Sequence, residues 1–253
     1  MKKIKTKKNK PEIVIVSRER EVIGNTWNIF PEARLSVNAR EVENYKNEGI
    51  CLDKKYILHD KLSCDEAKNA TIDAYEDGSE IIMLDDDITK VGKFVPTGVN
   101  KNKPQKLTGE EFYKELCRGF NIARKNNYHM FGVAPTQNPL CFNNKNKIKT
   151  DVFINGPLTS LITTKLRLDL HIRLKSDYEF TAQHIHNKMG VFRLDYLWVD
   201  NDYDKLEGGR SCHKSPDDQK HSFNYIMNKW PQYFRENPKR PFEVILSNKR
   251  KKQ

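Results

Sequence analysis

The sequence predicts an α/β fold built on a mixed, mostly parallel sheet flanked by helices, in a single domain. Two observations predict it. The first third of the chain reads strand, helix, strand, strand, helix, strand, and that alternation belongs to sheets covered by helices. Two of those strands, Glu12-Ile13-Val14-Ile15-Val16 after its leading glutamate and Ile81-Ile82-Met83-Leu84 throughout, are apolar rather than alternating, as strands buried on both faces are.

The first strand ends in Ser17-Arg18-Glu19-Arg20, polar and cationic. A helix or turn anchored by Trp27, Ile29 and Phe30 follows and is stopped by Pro31. Ala33–Val37 is a second strand, Val42–Tyr45 a helix, and Lys55–His59 a third strand. Ser63 with Glu66 three residues on makes a capping box, so Cys64–Tyr75 is a helix. The Glu76–Ser79 turn then leads into the apolar strand that runs straight into Asp85-Asp86-Asp87-Ile88.

Residues 89–107 hold five lysines with Gly92, Pro96, Gly98 and Pro104, and read as a long basic loop of the kind that forms a lid or binding loop. Thr108 with Glu111 opens another helix, which places Phe112, Leu116 and Phe120 on one face through Arg124. His129–Ala134 is a strand. Asn138–Thr150 is an exposed polar loop. Residues 152–156 and 159–163 are a strand pair about Gly156-Pro157. Tyr178–Met189 is a helix, Val191–Val199 a long strand, and Asn201–Lys214 a loop around Gly208-Gly209. A helix runs from Pro216 to Trp230, and Phe242–Leu246 is a last strand.

The formal charge of +11 is concentrated at the ends. Residues 1–10 carry six lysines and residues 247–253 four cations, with no acid in either, so only +1 belongs to residues 11–246. The expected organisation is a disordered basic arm over 1–10, one domain over 11–246 and a basic tail over 247–253. Such ends hold a phosphate backbone without reading sequence, or act as solubilising tails. The five cysteines include no closely spaced pair, which excludes a zinc-finger or secreted disulfide framework and fits a reducing compartment. No apolar run approaches a membrane span, and the basic start leads into no signal peptide, so the expected location is cytosolic with no membrane partner.

Three adjacent carboxylates repel one another unless a cation sits among them. Hard divalent cations take oxygen ligands, and Mg²⁺ uses one or two carboxylates together with substrate phosphates. A strand that delivers Asp85, Asp86 and Asp87 to its C-terminal end is therefore a candidate metal–diphosphate site. A solvated acidic turn has the same sequence. Arg18 and Arg20, at the end of a neighbouring strand, suit bidentate contact with phosphate. Asp177 and Glu179 open a later helix, where a carboxylate serves as a cap or as a general base.

The ordered combination of Ser17-Arg18-Glu19-Arg20, Ala67-Lys68-Asn69-Ala70, Leu84-Asp85-Asp86-Asp87, Asp177-Tyr178-Glu179-Phe180-Thr181 and Gly208-Gly209 resembles the GT-A-fold glycosyltransferases over residues 12–235. More narrowly, it resembles the phage TET-associated branch that glycosylates hydroxymethylated pyrimidines in DNA. The resemblance implies a GT-A-like fold and an inverting, metal-dependent glycosyltransferase. The implied donor is a nucleotide-diphosphate sugar such as a UDP-sugar, with Mn²⁺ or Mg²⁺ as cofactor. The implied acceptor is double-stranded DNA carrying a base such as 5-hydroxymethylcytosine, in the cytoplasm of an infected bacterium. It assigns metal ligation to Asp85, Asp87 and His213. Donor binding falls to Ser17, Arg18, Arg20, Asn69, Asp85, Asp86, Gly208, Gly209 and Arg210. The base is Asp177, with Glu179 second. Two departures stand out: Lys68 replaces the family's arginine, and Ser176 replaces the first acid of the usual acidic pair. A polysaccharide, lipid-linked or protein acceptor is the alternative within the same chemistry, and a non-catalytic nucleic-acid-binding module is the alternative outside it.

Overall fold

The structure is a computed structural model. It describes residues 3–7, 10–19, 25–47, 56–61, 63–98, 101–139, 147–154, 156–172, 174–202 and 215–247. The strands are β1 (Glu12–Val16), β2 (Arg34–Asn38), β3 (Tyr56–His59), β4 (Glu80–Asp85), β5 (Ile88–Gly98), β6 (Lys101–Lys106), β7 (Met130–Ala134), β8 (Ile148–Thr150), β9 (Leu158–Ile162), β10 (Val191–Asn201), β11 (Phe234–Glu236) and β12 (Val244–Leu246). The helices are α1 (Thr26–Ile29), α2 (Val42–Asn47), α3 (Cys64–Asp73), α4 (Gly109–Asn126), α5 (Ser176–His186) and α6 (Pro216–Lys229).

One sheet of ten strands organises the chain. Its order is β3-β2-β1-β4-β9-β7-β10-β5-β6, with β8 also on β10. β1 pairs in parallel with β2 and β4, β2 with β3, and β7 with β10. β9 runs antiparallel between β4 and β7, and β5 and β8 run antiparallel to β10. The sheet is therefore mixed with a parallel core, as expected.

Alternation along the buried strands splits the core into two layers. Ile82 and Leu84 of β4 face the side where Phe112, Leu116, Phe120 and Ala123 of α4 pack. Ile81 and Met83 face the other side, against Ile72 of α3 and Phe180 of α5. Apolar residues on both faces of β4 are thus explained by helices on both faces of the sheet. A smaller cluster joins Ala182 of α5 to Ile226 of α6, with Trp230, Phe234 and Val244. Both expected capping boxes are present, at Ser63 and at Thr108.

Residues 89–107 differ from expectation. They form not a loop but the β5–β6 hairpin, paired from Gly92↔Lys106 to Gly98↔Lys101. The two prolines stand in a hairpin at the end of the sheet, where a missing N–H is tolerated. Gly92 marks a close approach: a Cβ there would lie 2.1 Å from Cζ2 of Trp198. Two smaller differences follow. Residues 152–154 are not a strand: β9 pairs instead with β4 and β7, while β8, within the expected polar loop, pairs with β10. Within the expected disordered arm, Ile4 is held: its N–H donates to the Ala74 carbonyl, its carbonyl accepts from Glu76 N–H, and it packs on the α3-side core.

His184 of α5 is 1% exposed, and its Nδ1 lies 2.9 Å from the Phe180 carbonyl. Burial pushes its pKa down to about 4, although that carbonyl bond pulls the other way. An unfolded histidine binds its proton near pH 6.5. Between those values the unfolded chain holds a proton the folded chain lacks, so stability falls as the pH drops. Each pH unit costs about 1.4 kcal/mol, or roughly 3 kcal/mol across the window. Urea titrations from pH 7 to pH 4 should show this loss, and His184→Leu should flatten it.

Candidate functional site

The chain leaves β1 for β2 on one side and comes back through α3 to β4 on the other. The strand order therefore reverses between β1 and β4, and open α/β sheets bind ligands in the crevice beyond the C-terminal ends at such a point. The register ends at Val16↔Asp85, and just beyond it Ser17 meets Asp86. The acidic triplet and the Ser-Arg end of the first strand thus meet at the switch point.

The three carboxylates have different surroundings. Asp86 turns inward and is 6% exposed. Its Oδ2 accepts from Ser17 Oγ at 2.6 Å, and Ser17 Oγ is 2.8 Å from the Tyr45 hydroxyl. Asp85 stays partly open, and its Oδ1 pairs with Lys68 Nζ of α3 at 2.8 Å. Asp87 Oδ2 accepts from Asn201 Nδ2 at 3.3 Å, and its carbonyl accepts from Asp202 N–H. Thr26 fixes the turn itself. Its Oγ1 donates to the Asp85 carbonyl and accepts from Ile88 N–H, while its N–H donates to the Asp86 carbonyl. The triplet is consequently one buried acid flanked by two that are partly exposed.

Arg18 is largely buried and pairs with Glu19 at 2.5 Å. Glu19 takes a left-handed φ of 52° and donates its N–H to Glu41. Burial raises the Glu41 carboxyl above its ordinary pKa, against the pull of that bond. At the far end of the crevice, Gln137 Nε2 donates to Asp200 Oδ2 at 2.8 Å, tying the end of β7 to the end of β10.

α3 links the triplet to the start of α5. Lys68 reaches Asp85, and one turn earlier Asp65 accepts from Ser176 Oγ at 2.8 Å. Asp177 follows Ser176 in the first turn of α5, half-buried, with its Oδ1 taking the Tyr178 N–H at 3.0 Å. α3 thus contacts both Asp85, through Lys68, and the first turn of α5, through Asp65.

Two expected site residues have other work. Asn69 is engaged twice with the backbone of Leu168: its Nδ2 donates to that carbonyl and its Oδ1 accepts from that N–H. It clamps the segment before α5 onto α3, and these bonds use both ends of its amide. Glu179 is 0% exposed. Its Oε1 accepts from Trp230 Nε1 at 3.0 Å and from Lys229 Nζ at 2.8 Å, and its Oε2 accepts from Gln183. A carboxylate so enclosed by α6 is a packing element rather than a base open to an acceptor. Arg20, Gly208, Gly209, Arg210 and His213 lie outside the described residues.

Asp85 and Asp87 suit a hard divalent cation by donor chemistry, since both are carboxylates at the end of one strand. Among the described residues, no three His, Cys, Asp or Glu side chains converge on a cation position. Sequence reasoning gave no weight to Thr26 or Glu41, whose roles arise from backbone geometry that leaves no motif. No protein-family model matches the chain, and no curated protein matches it. Among the described residues, no helix is long and apolar enough to cross a membrane.

Proposed function

We propose that the protein is a GT-A-type glycosyltransferase that moves a sugar from a nucleotide-diphosphate donor, such as a UDP-sugar, to a hydroxymethylated pyrimidine in DNA. The observation that carries the reading is the acidic triplet at the end of β4, joined through the Ser17–Asp86 bond to the end of β1 at the β1/β4 switch point. Crevices of this kind take nucleotides, and paired carboxylates there suit a diphosphate leaving group.

In this reading Asp85 and Asp87 would hold Mn²⁺ or Mg²⁺, which supplies Lewis-acid neutralisation of the departing diphosphate. Lys68 orients Asp85 and adds a point charge on the same side, without the bidentate grip of an arginine. Arg18 offers a guanidinium fork to phosphate or base edge. Asp86 serves indirectly by fixing the turn through Ser17. Asp177 takes the proton of the acceptor hydroxyl as that oxygen bonds to the anomeric carbon and the bond to the diphosphate oxygen breaks. Neither Asn69 nor Glu179 has a part in these steps. The cationic ends and basic hairpin favour a polyanionic acceptor over a neutral glycan.

Thermal-shift measurements with a panel of nucleotide sugars, with and without Mn²⁺ or Mg²⁺, test the reading. A bound donor raises the melting temperature by mass action, about 2.7 kcal/mol of stabilisation at a hundred times its Kd. The expected result is a metal-dependent shift with one donor class. Absence of a shift with every donor overturns the proposal.

A further inference from the structure

The β5–β6 hairpin does more than close the sheet. β5 pairs with β10 only from Ile88↔Asn201 to Lys93↔Leu197. Lower on the same edge of β10, β8 takes over at Phe192–Leu194. Residues beyond Phe94 therefore leave the sheet as a two-stranded ribbon. Pro96, Thr97, Gly98 and Lys103 are exposed on it, and Gln105 and Lys106 are exposed at its base.

The ribbon has one sign of charge. Ile88 through Gly109 contains five lysines and no acid. Lysines and Pro104 on an outermost strand guard against edge-to-edge pairing, and that accounts for some of them. Edge protection does not require a whole hairpin without a single acid. Side chains alternate along a strand, so Lys103 and Lys106 point to opposite faces. A two-stranded ribbon fits the major groove of duplex DNA, where phosphate walls stand on both sides. Its projecting length, about 10 Å from the three cross-strand pairs beyond Phe94 at roughly 3.3 Å each, spans about three base pairs. Lys93 faces the start of α4 and feels Glu111, so the freer cations are Lys103 and Lys106.

From this we infer that the β5–β6 ribbon is a nucleic-acid-binding arm that seats duplex DNA by phosphate contacts on both of its faces. The inference rests on the DNA-acceptor reading above and names the surface that holds the acceptor.

The test compares the full chain with K103Q/K106Q and K103E/K106E, using a duplex DNA of random sequence about 20 base pairs long. Affinity is read across a salt series. Each lost phosphate contact should reduce the slope of log affinity against log salt by about 0.9. The glutamine variant should therefore bind with a slope shallower by about 2, and roughly fifty-fold more weakly near 0.1 M salt. The glutamate variant should bind more weakly still, while both keep any donor-induced thermal shift. A wild-type slope in both variants overturns the ribbon and leaves the transferase reading standing. No duplex binding by the unaltered protein overturns the ribbon and the DNA acceptor together. Binding to anionic phospholipid vesicles but not to duplex makes the arm a membrane contact and overturns the inference.

Discussion

Asp87→Asn is expected to abolish metal-dependent donor binding while leaving the fold intact. The substitution keeps the shape of the side chain. The Asp87 carbonyl that receives the Asp202 N–H is untouched, and the amide oxygen can still accept from Asn201. What disappears is the negative charge, and hard divalent cations depend on it. Loss of an outer-shell partner costs a metal site ten- to a hundred-fold in affinity, so loss of a direct ligand should exceed about a hundred-fold. Calorimetric titration with Mn²⁺ and donor reads the loss, and a thermal melt without ligand reads the fold. Asp86→Ala supplies the contrast. It removes the acceptor of the buried Ser17 hydroxyl and should cost stability even without ligand, about 1–3 kcal/mol for a buried unsatisfied donor. Full metal-dependent donor affinity in Asp87→Asn would remove Asp87 from the metal site.

The architecture was legible wherever burial on both faces wrote itself into the residues. Glu12–Val16 and Ile81–Leu84 read as buried strands because helices cover both sides of the sheet. Ser63 and Thr108 announced their helices because capping is a local interaction. The β5–β6 hairpin was not legible, because a projecting ribbon buries little and its Gly, Pro and Lys content follows from its edge position. At the site, the position of Asp85–Asp87 could be read from one strand, but the division of labour among them could not. It depends on Ser17, Thr26, Lys68 and Asn201, which come from four other parts of the chain. The partners of Asn69 and Glu179 were hidden for a related reason. Polar residues beside a crevice and polar residues clamping a core look alike until their partners are known.

Glu179 is expected to act on stability far more than on chemistry. Truncation by Glu179→Ala leaves the buried Trp230 Nε1 without its acceptor and takes one of two carboxylates from Lys229. A buried donor left unsatisfied costs about 1–3 kcal/mol, while the exposed Lys229 keeps its second carboxylate. The second carboxylate is Asp169. Burial raises its pKa, but bonds from Lys229, Tyr225 and His171 hold it well below the usual carboxylate range. Burial likewise lowers Lys229, yet its bonds to Asp169 and Glu179 carry it above its ordinary value. A depressed acid stabilises above its unfolded pKa and loses that contribution in acid. A raised lysine stabilises below its unfolded pKa and loses that contribution in strong base. The cluster is therefore at full strength across neutral pH, and the cost of Glu179→Ala should be measured there by chemical denaturation. Glu179→Gln separates packing from catalysis. Its amide oxygen still accepts from Trp230, so the folded protein should keep donor binding and most of its turnover. Loss of a general base lowers turnover by about 10²–10⁴. A fall of that size in folded Glu179→Gln would return Glu179 to the chemistry and take Asp177 out of it. A stable variant that still turns over leaves Asp177 as the base, on the half-buried first turn of α5 that Asp65 and Ser176 hold beside the crevice.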